Sequence, residues 1–356
     1  MIGPCEPLTA SVVGGGSGGR LSLKALTASD RFQLVAATDL RDDVLCGLQQ
    51  DYPTLRTFTD YREMFAACPT DVVCVSTYPP SHEPITLDAL ELPLKGILVE
   101  KPLGHTAASG QRILNAIRQR GIPMAVPHGL LAKRTPLEII ERVQDGQIGE
   151  LVLIEIQCTG WDIINAGIHW LDFALTALRN EPVESVLALC DSTTRTYRDG
   201  MQVETVAVTS VQMQSGVRVV MHTGDHLHVN RPGKATLFRL VGTAGVIEFW
   251  GWENGYRIVN ACHPSGETIV PEEFPVIGHR RHLEHLADMI VSGDHDFSIP
   301  EGSLLALEVC EAAYLSSRHR CQVTFPLASF VPPPATAWEP GQPYAGAGGG
   351  RDGRML

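Results

Sequence analysis

Val12-Val13-Gly14-Gly15-Gly16-Ser17-Gly18-Gly19 is the stretch on which the fold of this 356-residue chain turns. A short apolar run, 10–13, leads into it, and a segment with helical periodicity, 21–27, leads out of it. Gly14, Gly16 and Gly19 fit Gly-x-Gly-x-x-Gly. In that motif the first glycine permits a tight turn, the second lets the backbone approach a pyrophosphate, and the third packs helix on strand, with phosphate oxygens meeting the helix N-terminus. Ser17 and Gly18 complete the expected cradle. Taken alone, the same glycines would also suit a flexible loop. The next apolar run, 32–38, favours the cradle, because Asp39 ends it about 20 residues past the last glycine, where an acidic side chain binds a ribose diol. That carboxylate would repel a 2′-phosphate, so NAD(H) is favoured over NADP(H). Arg41 would cover the adenine, reach a 2′-phosphate, or stay on the surface beside Asp42 and Asp43.

Outward from the turn the pattern alternates. Strand candidates 10–13, 32–38, 72–76, 96–99 and 124–127 are separated by helix candidates 21–27, 44–52, 61–67, 85–90 and 107–119. This alternation predicts an α/β domain over 1–127, a doubly wound parallel sheet of Rossmann type with helices on both faces. Past residue 150 the runs 151–159, 186–191, 202–214, 217–226, 234–242 and 245–250 are strand-like, and turn signals such as Gln214-Ser215-Gly216 join several of them. They predict a large open, mostly antiparallel sheet in an α+β domain over 128–330, with helices at 168–177, 282–292 and 303–317. Residues 331–356, rich in proline and glycine, are expected to form a disordered tail.

The composition, 44% hydrophobic and 19% charged, is globular, and the net charge of -12 argues against a nucleic-acid partner. The nine cysteines are scattered and never spaced as Cys-x-x-Cys, which suits reduced thiols in a cytoplasmic protein. No stretch approaches the roughly 20 apolar residues of a membrane span, and the N-terminus lacks the pattern of an export signal.

Chemistry concentrates in two places. Lys101, in Glu100-Lys101-Pro102, follows the run 96–99 and so falls at the carboxyl end of the parallel sheet, where open α/β folds bind ligands. Pro102 restrains Lys101 toward extended backbone; the alternative is a solvated lysine paired with Glu100. Thr77, Tyr78 and His82 occupy the turn after the third strand of the first domain and are expected near the cofactor. Downstream, Gly167-Ile168-His169-Trp170-Leu171-Asp172 places His169 and Asp172 on one helical face. His169 is either an acid-base group or a core histidine bonded to a carboxylate, and Asn165 either orients it or caps the helix. Trp161 and Asp162 are candidate substrate contacts. His222, His226 and His228 would share a strand face and line a cleft or an interface; no metal is required.

With these landmarks in order, from the glycine turn through Asp39, Thr77 to His82, Glu100-Lys101-Pro102, Gln147-Ile148-Gly149, Gly167-x-His169-x-x-Asp172 and Gly242-x-x-Gly245, the chain resembles the Gfo/Idh/MocA family of oxidoreductases over about residues 8–327. The resemblance implies a Rossmann domain, a second domain with a large open sheet, a nicotinamide ring between them, and contact of Lys101 and His169 with the reacting substrate oxygen. It also implies a dimer or tetramer joined sheet to sheet, which the long apolar strands, having too few helices to cover both faces, suggest independently. Two departures stand out. Asn165 occupies a position where the family commonly has aspartate, and the segment 149–167 is short. The expected activity is NAD(H)-dependent oxidation or reduction of a sugar, cyclitol or related polyol. The alternatives are transient use of bound NAD, as in glycosidase- or epimerase-like members, and a dinucleotide-binding regulatory protein whose catalysis has lapsed.

Overall fold

The structure, a computed structural model, describes residues 6–191, 196–333 and 340–343. The chain begins β1 (Leu8–Val13), α1 (Ser17–Thr27), β2 (Phe32–Thr38), α2 (Asp42–Asp51), β3 (Arg56–Phe58), α3 (Tyr61–Ala67), β4 (Val72–Val75), α4 (Pro79–Ala89), β5 (Gly96–Val99), α5 (Ala107–Arg120) and β6 (Met124–Ala125). It continues α6 (Arg134–Gln144), β7 (Leu151–Thr159), α7 (Ile168–Ala177), β8 (Val183–Cys190), β9 (Thr196–Arg198), β10 (Met201–Val203), β11 (Val206–Met213) and β12 (Arg218–Gly224). It closes β13 (Thr236–Gly242), β14 (Gly245–Phe249), β15 (Tyr256–Asn260), β16 (Glu267–Ile269), α8 (Gly278–Ser292), α9 (Ser298–His319) and β17 (Val323–Thr324). Two compact units result, one of Met1–Ala132 with Val276–Leu304 and one of Lys133–Pro275 with Leu305–Leu356.

In the first unit six strands pair in parallel in the order β3-β2-β1-β4-β5-β6. Every residue of β4 and β5 is buried, as a parallel sheet covered on both faces requires. The order reverses between β1 and β4, and the crevice beyond the carboxyl ends of such neighbours is where a doubly wound sheet takes its ligand. The sequence placed residues 276–304 in the second domain, but α8 packs on this sheet. Leu283, Leu286 and Ala287 are buried with Leu23, Leu26 and Leu98. Gly96 permits it, since a Cβ there would come within 2.8 Å of Ile290 Cδ1.

The second unit carries a nine-stranded sheet, β16-β15-β14-β13-β7-β12-β11-β8-β17. All its pairs are antiparallel except β12 with β7. Alternation decides its faces: in β11, Ala207, Thr209, Val211 and Met213 are buried while Val206 and Val208 are exposed. On the covered face Phe238 and Phe249 stack at 4.4 Å, and Phe173 of α7 meets both edge-on at 5.2 and 5.1 Å. Truncating any of these rings would cost about 3–5 kcal/mol.

Several expectations need correction. The single strand expected over 202–214 is broken between β10 and β11, where the buried Glu204 turns inward to bond Ile163. The strand expected over 217–226 stops at Gly224, whose φ of +146 and 2.7 Å approach to Thr205 O admit no side chain. His226 and His228 therefore lie beyond the strand and share no strand face with His222. Of the tail expected to be disordered, 334–339 and 344–356 lie outside the described residues, whereas Gly341 and Gln342 exchange backbone hydrogen bonds with Gln202 of β10.

Candidate active site

Each fingerprint glycine has a separate physical reason. Gly14 sits at φ +99, and a Cβ on it would lie 2.4 Å from Ser76 O. At Gly19 a Cβ would lie 1.8 Å from Gly14 O, so helix α1 can leave the strand this closely only without a side chain. Gly16 differs: a Cβ there meets nothing within 4 Å. It precedes an exposed Ser17 at the first turn of α1, so the free N–H groups of a helix N-terminus face open space, the arrangement that binds a pyrophosphate. These residues fit a dinucleotide.

Asp39, just past the end of β2, is tied to the turn. Its Oδ2 accepts a hydrogen bond from Gly15 N at 2.8 Å, and its Oδ1 accepts from Arg41 N at 3.0 Å and Arg41 Nε at 3.2 Å. Arg41 is thus a partner of Asp39 rather than a loose surface side chain. A carboxylate offers about four lone-pair directions, so acceptor capacity remains for a ribose hydroxyl.

Past β4 and β5 lie Thr77, Tyr78, His82, Glu100 and Lys101. Tyr78 precedes the Pro79-Pro80 start of α4, where proline fits the first turn. His82 is buried, with Nδ1 3.0 Å from Pro102 O and Nε2 2.9 Å from Thr77 O. It clamps the loop after β4 to the loop after β5, and burial lowers its pKa despite those carbonyls. Glu100 is buried too. Its Oε2 accepts from Lys101 N at 3.2 Å, its Oε1 lies 2.6 Å from His279 Nε2, and a Cβ on Gly18 would come within 3.1 Å of Oε1. Burial works to raise the Glu100 pKa, yet His279, Lys101 and His82 together hold it below the ordinary carboxylate value. His279, on the first turn of α8, was not foreseen; no sequence spacing links positions 100 and 279.

In the second unit Trp161, Asp162, Asn165 and His169 gather around a π-helical turn, Ile163–Gly167, that runs directly into α7. Gly167 N donates to Asp162 O at 3.0 Å, the five-residue step of a π turn, a geometry frequent at functional sites. The cap is Asp162 rather than Asn165: Asp162 Oδ1 accepts from Asn165 N at 2.7 Å and from Asn165 Nδ2 at 3.0 Å. The amide of Asn165 is thereby oriented with its nitrogen toward the carboxylate. Asp162, expected to touch substrate, is fully buried and holds Arg198 Nη1 at 3.0 Å through Oδ2. Beneath it Glu204 accepts from Ile163 N at 2.7 Å and from Tyr314 OH at 2.8 Å, its pKa raised by burial and then by the Asp162 charge. His169 begins α7 with its ring edge-on to Trp252 at 5.6 Å. Asp172, one turn on, is buried, and burial raises its pKa well above the carboxylate range. Arg198, Glu204 and Tyr314 went unforeseen because they come from β9, the break after β10 and α9. Among the described residues no three histidine, cysteine or acidic side chains gather as a metal site.

Residues 8–128, which contain the whole glycine turn, Asp39 and Glu100-Lys101-Pro102, match the GFO_IDH_MocA model, described as an oxidoreductase family with an NAD-binding Rossmann fold. Over those residues the chain is similar to the Gfo/Idh/MocA oxidoreductase family. It is 28% identical over 166 residues to YfiI, an uncharacterized oxidoreductase of Bacillus subtilis, covering 43% of this chain and 42% of that one. To the inositol 2-dehydrogenase/D-chiro-inositol 3-dehydrogenase of Shouchella clausii it is 27% identical over 169 residues, covering 46% and 48%. The matched part spans about half the length of these relatives. The fold is that of an Agrobacterium radiobacter oxidoreductase solved with NAD+, L-tartaric acid and magnesium, with a TM-score of 0.75 at 19% identity over 90% of this chain and 98% of that one. The chain thus carries a Rossmann domain that matches an NAD-binding family model, and a second unit built on a large, mostly antiparallel sheet.

Proposed function

We propose that this protein is a Gfo/Idh/MocA family member and an NAD(H)-dependent dehydrogenase or reductase that moves hydride between nicotinamide and a carbinol or carbonyl carbon of a sugar, cyclitol or related polyol. The observation that carries the reading is the open space over Gly16 at the start of α1, with Asp39, Thr77 and Lys101 on the same carboxyl edge of the parallel sheet. The inositol dehydrogenase among its relatives supports the substrate class.

The dinucleotide supplies the hydride acceptor or donor, and the chain's residues do the rest. Gly14, Gly16, Ser17, Gly18 and Gly19 receive the pyrophosphate, and Asp39 the ribose diol, which favours NAD(H) over NADP(H). Lys101, as an ammonium, stabilises negative charge on the substrate oxygen as its proton leaves, and polarises a carbonyl in the reverse direction. His169 accepts that proton during oxidation and returns it during reduction, a task suited to an imidazole near neutral pH. Asn165, oriented by Asp162, steers the substrate hydroxyl and carries no proton. Trp161 contributes an apolar ring face to the substrate.

The test is the NADH absorbance change with a panel of sugars and cyclitols and either cofactor. Net reduction of NAD+ by a neutral polyol is the expected result. Turnover without net change would support transient use of bound NAD, and cofactor binding without turnover would support lapsed catalysis.

A further inference from the structure

Arg198 in β9 is only 8% exposed, yet its guanidinium is half satisfied. Nη1 donates to Asp162 Oδ2 at 3.0 Å, whereas the equally buried Nη2 has no acceptor among the described residues. A buried donor left without an acceptor is costly, more so for a charged group, so native proteins rarely keep one idle. The guanidinium carbon lies 4.5 Å from the Trp161 ring centroid, and Trp161, 37% exposed, is the member of the stacked pair that reaches solvent and covers the guanidinium. Asp162, which fixes the first arm, is the carboxylate that also fixes the backbone and amide of Asn165. One buried strut therefore sets the direction of both the Arg198 fork and the turn leading to His169.

We propose that Arg198 is a specificity-determining residue whose Nη2 arm donates to a neutral oxygen of the substrate, a hydroxyl of the polyol, while its Nη1 arm stays on Asp162. The inference rests on the polyol reading above and names the side chain that reads the polyol. Charge decides between a neutral and an anionic acceptor. Asp162 already balances Arg198, and the buried Glu204 lies within electrostatic reach of Asp162. A substrate carboxylate would bring a third acid to a cluster whose one cation among the described residues is Arg198, whereas a hydroxyl satisfies the N–H without adding charge. Arginine suits the position because a planar fork can hold two acceptors in fixed directions; a lysine ammonium cannot hold Asp162 and reproduce the second arm and the stacked plane together.

The decisive variant is R198K, which keeps a cation for Asp162 and removes the second arm; R198M is the more severe companion, and unfolding midpoints report whether either is misfolded. Wild type and variants are assayed with saturating NAD+ and myo-inositol, D-glucose, their monodeoxy analogues, D-gluconate and D-glucuronate, and polyol binding is followed by calorimetry. R198K should raise KM for the neutral polyol about tenfold or more, with a smaller change in kcat and unchanged NAD+ affinity. One monodeoxy analogue should cost the wild type that same factor and cost R198K little further. An R198K enzyme with wild-type KM on a substrate that is turned over would overturn the role of Arg198 and leave the polyol reading standing. So would a wild-type preference for an acid over its neutral counterpart that R198K abolishes. If the wild type binds NAD+ but neither binds nor converts any neutral polyol, the polyol reading fails and the ligand assigned to Arg198 fails with it.

Discussion

Glu100 and His279 meet at 2.6 Å across 179 positions of sequence, one from the loop after β5 and one from the first turn of α8. Because Glu100 also takes the backbone N–H of Lys101 and lies against Gly18, this buried contact braces the lysine and the phosphate turn together. Replacing His279 by leucine leaves a buried carboxylate without its neighbour and should destabilise the protein by about 3 kcal/mol. NAD(H) affinity should fall with it. The double variant E100Q/H279L should recover part of the stability, as urea unfolding would show. A single variant as stable as the wild type would mean that the contact is dispensable.

Cofactor choice is expected to follow Asp39. NAD(H) should bind about tenfold tighter than NADP(H), a difference of roughly 1.4 kcal/mol, and Asp39→Ala should narrow the gap by removing the negative charge and releasing Arg41 from its partner. Fluorescence titration of both cofactors checks this. Equal affinities in the unmodified protein would rule out the assignment.

For the proton and the oxygen, Lys101→Ala and His169→Ala should each lower turnover by roughly 100-fold or more, while Asn165→Ala costs less. NAD(H) affinity should be nearly unchanged in all three. Near-normal turnover by His169→Ala on a verified substrate would move the proton-transfer role elsewhere.

Acid should weaken the first unit through its buried histidines. His282 faces the His128 carbonyl at 3.0 Å, and burial pushes its pKa down to about 4 against the pull of that hydrogen bond, with His279 and His285 adding to the shift. In the unfolded chain the same imidazole takes its proton near pH 6.5, so between these values the unfolded state binds more protons and stability falls as the pH drops, by roughly 3 kcal/mol for this group. His82 and His128 shift in the same direction. Urea unfolding across that range should show a shallower acid loss for His282→Gln than for the wild type, and parallel curves would refute the cause.

Assembly through the nine-stranded sheet is the remaining expectation. Leu187 and Leu189 of β8 are 51% and 72% exposed, and in register beside them stand Ser210 and Val208 of β11. Further across the same face Arg239 holds both Glu155 and Glu248. An open face of this kind is usually covered by a second copy. Light scattering at micromolar concentration should give a multiple of 38.6 kDa, reduced by Leu189→Glu with Val208→Glu. A single monomeric mass for the unmodified protein would exclude it.

The sequence by itself determined the elements whose cause is local. β2, β5, α3 and α7 fall at the expected residues, because an unbroken apolar run or a helical period bounded by turn residues needs no distant partner to be read. The glycine turn was legible for the same reason: three glycines, a strand before and a helix after are all neighbours in the chain. Tertiary structure decided the rest. A short edge strand such as β3, with only three residues, leaves too little pattern to read. The break at Glu204 shows only once Ile163 and Tyr314 are there to receive the carboxylate. The return of α8 to the first sheet, the contact of His279 with Glu100, and the hold of Arg198 on Asp162 join residues far apart in sequence. Each depends on burial, which makes a carboxylate or a guanidinium select its partner by three-dimensional proximity, and proximity of that kind leaves no spacing to be read along the chain.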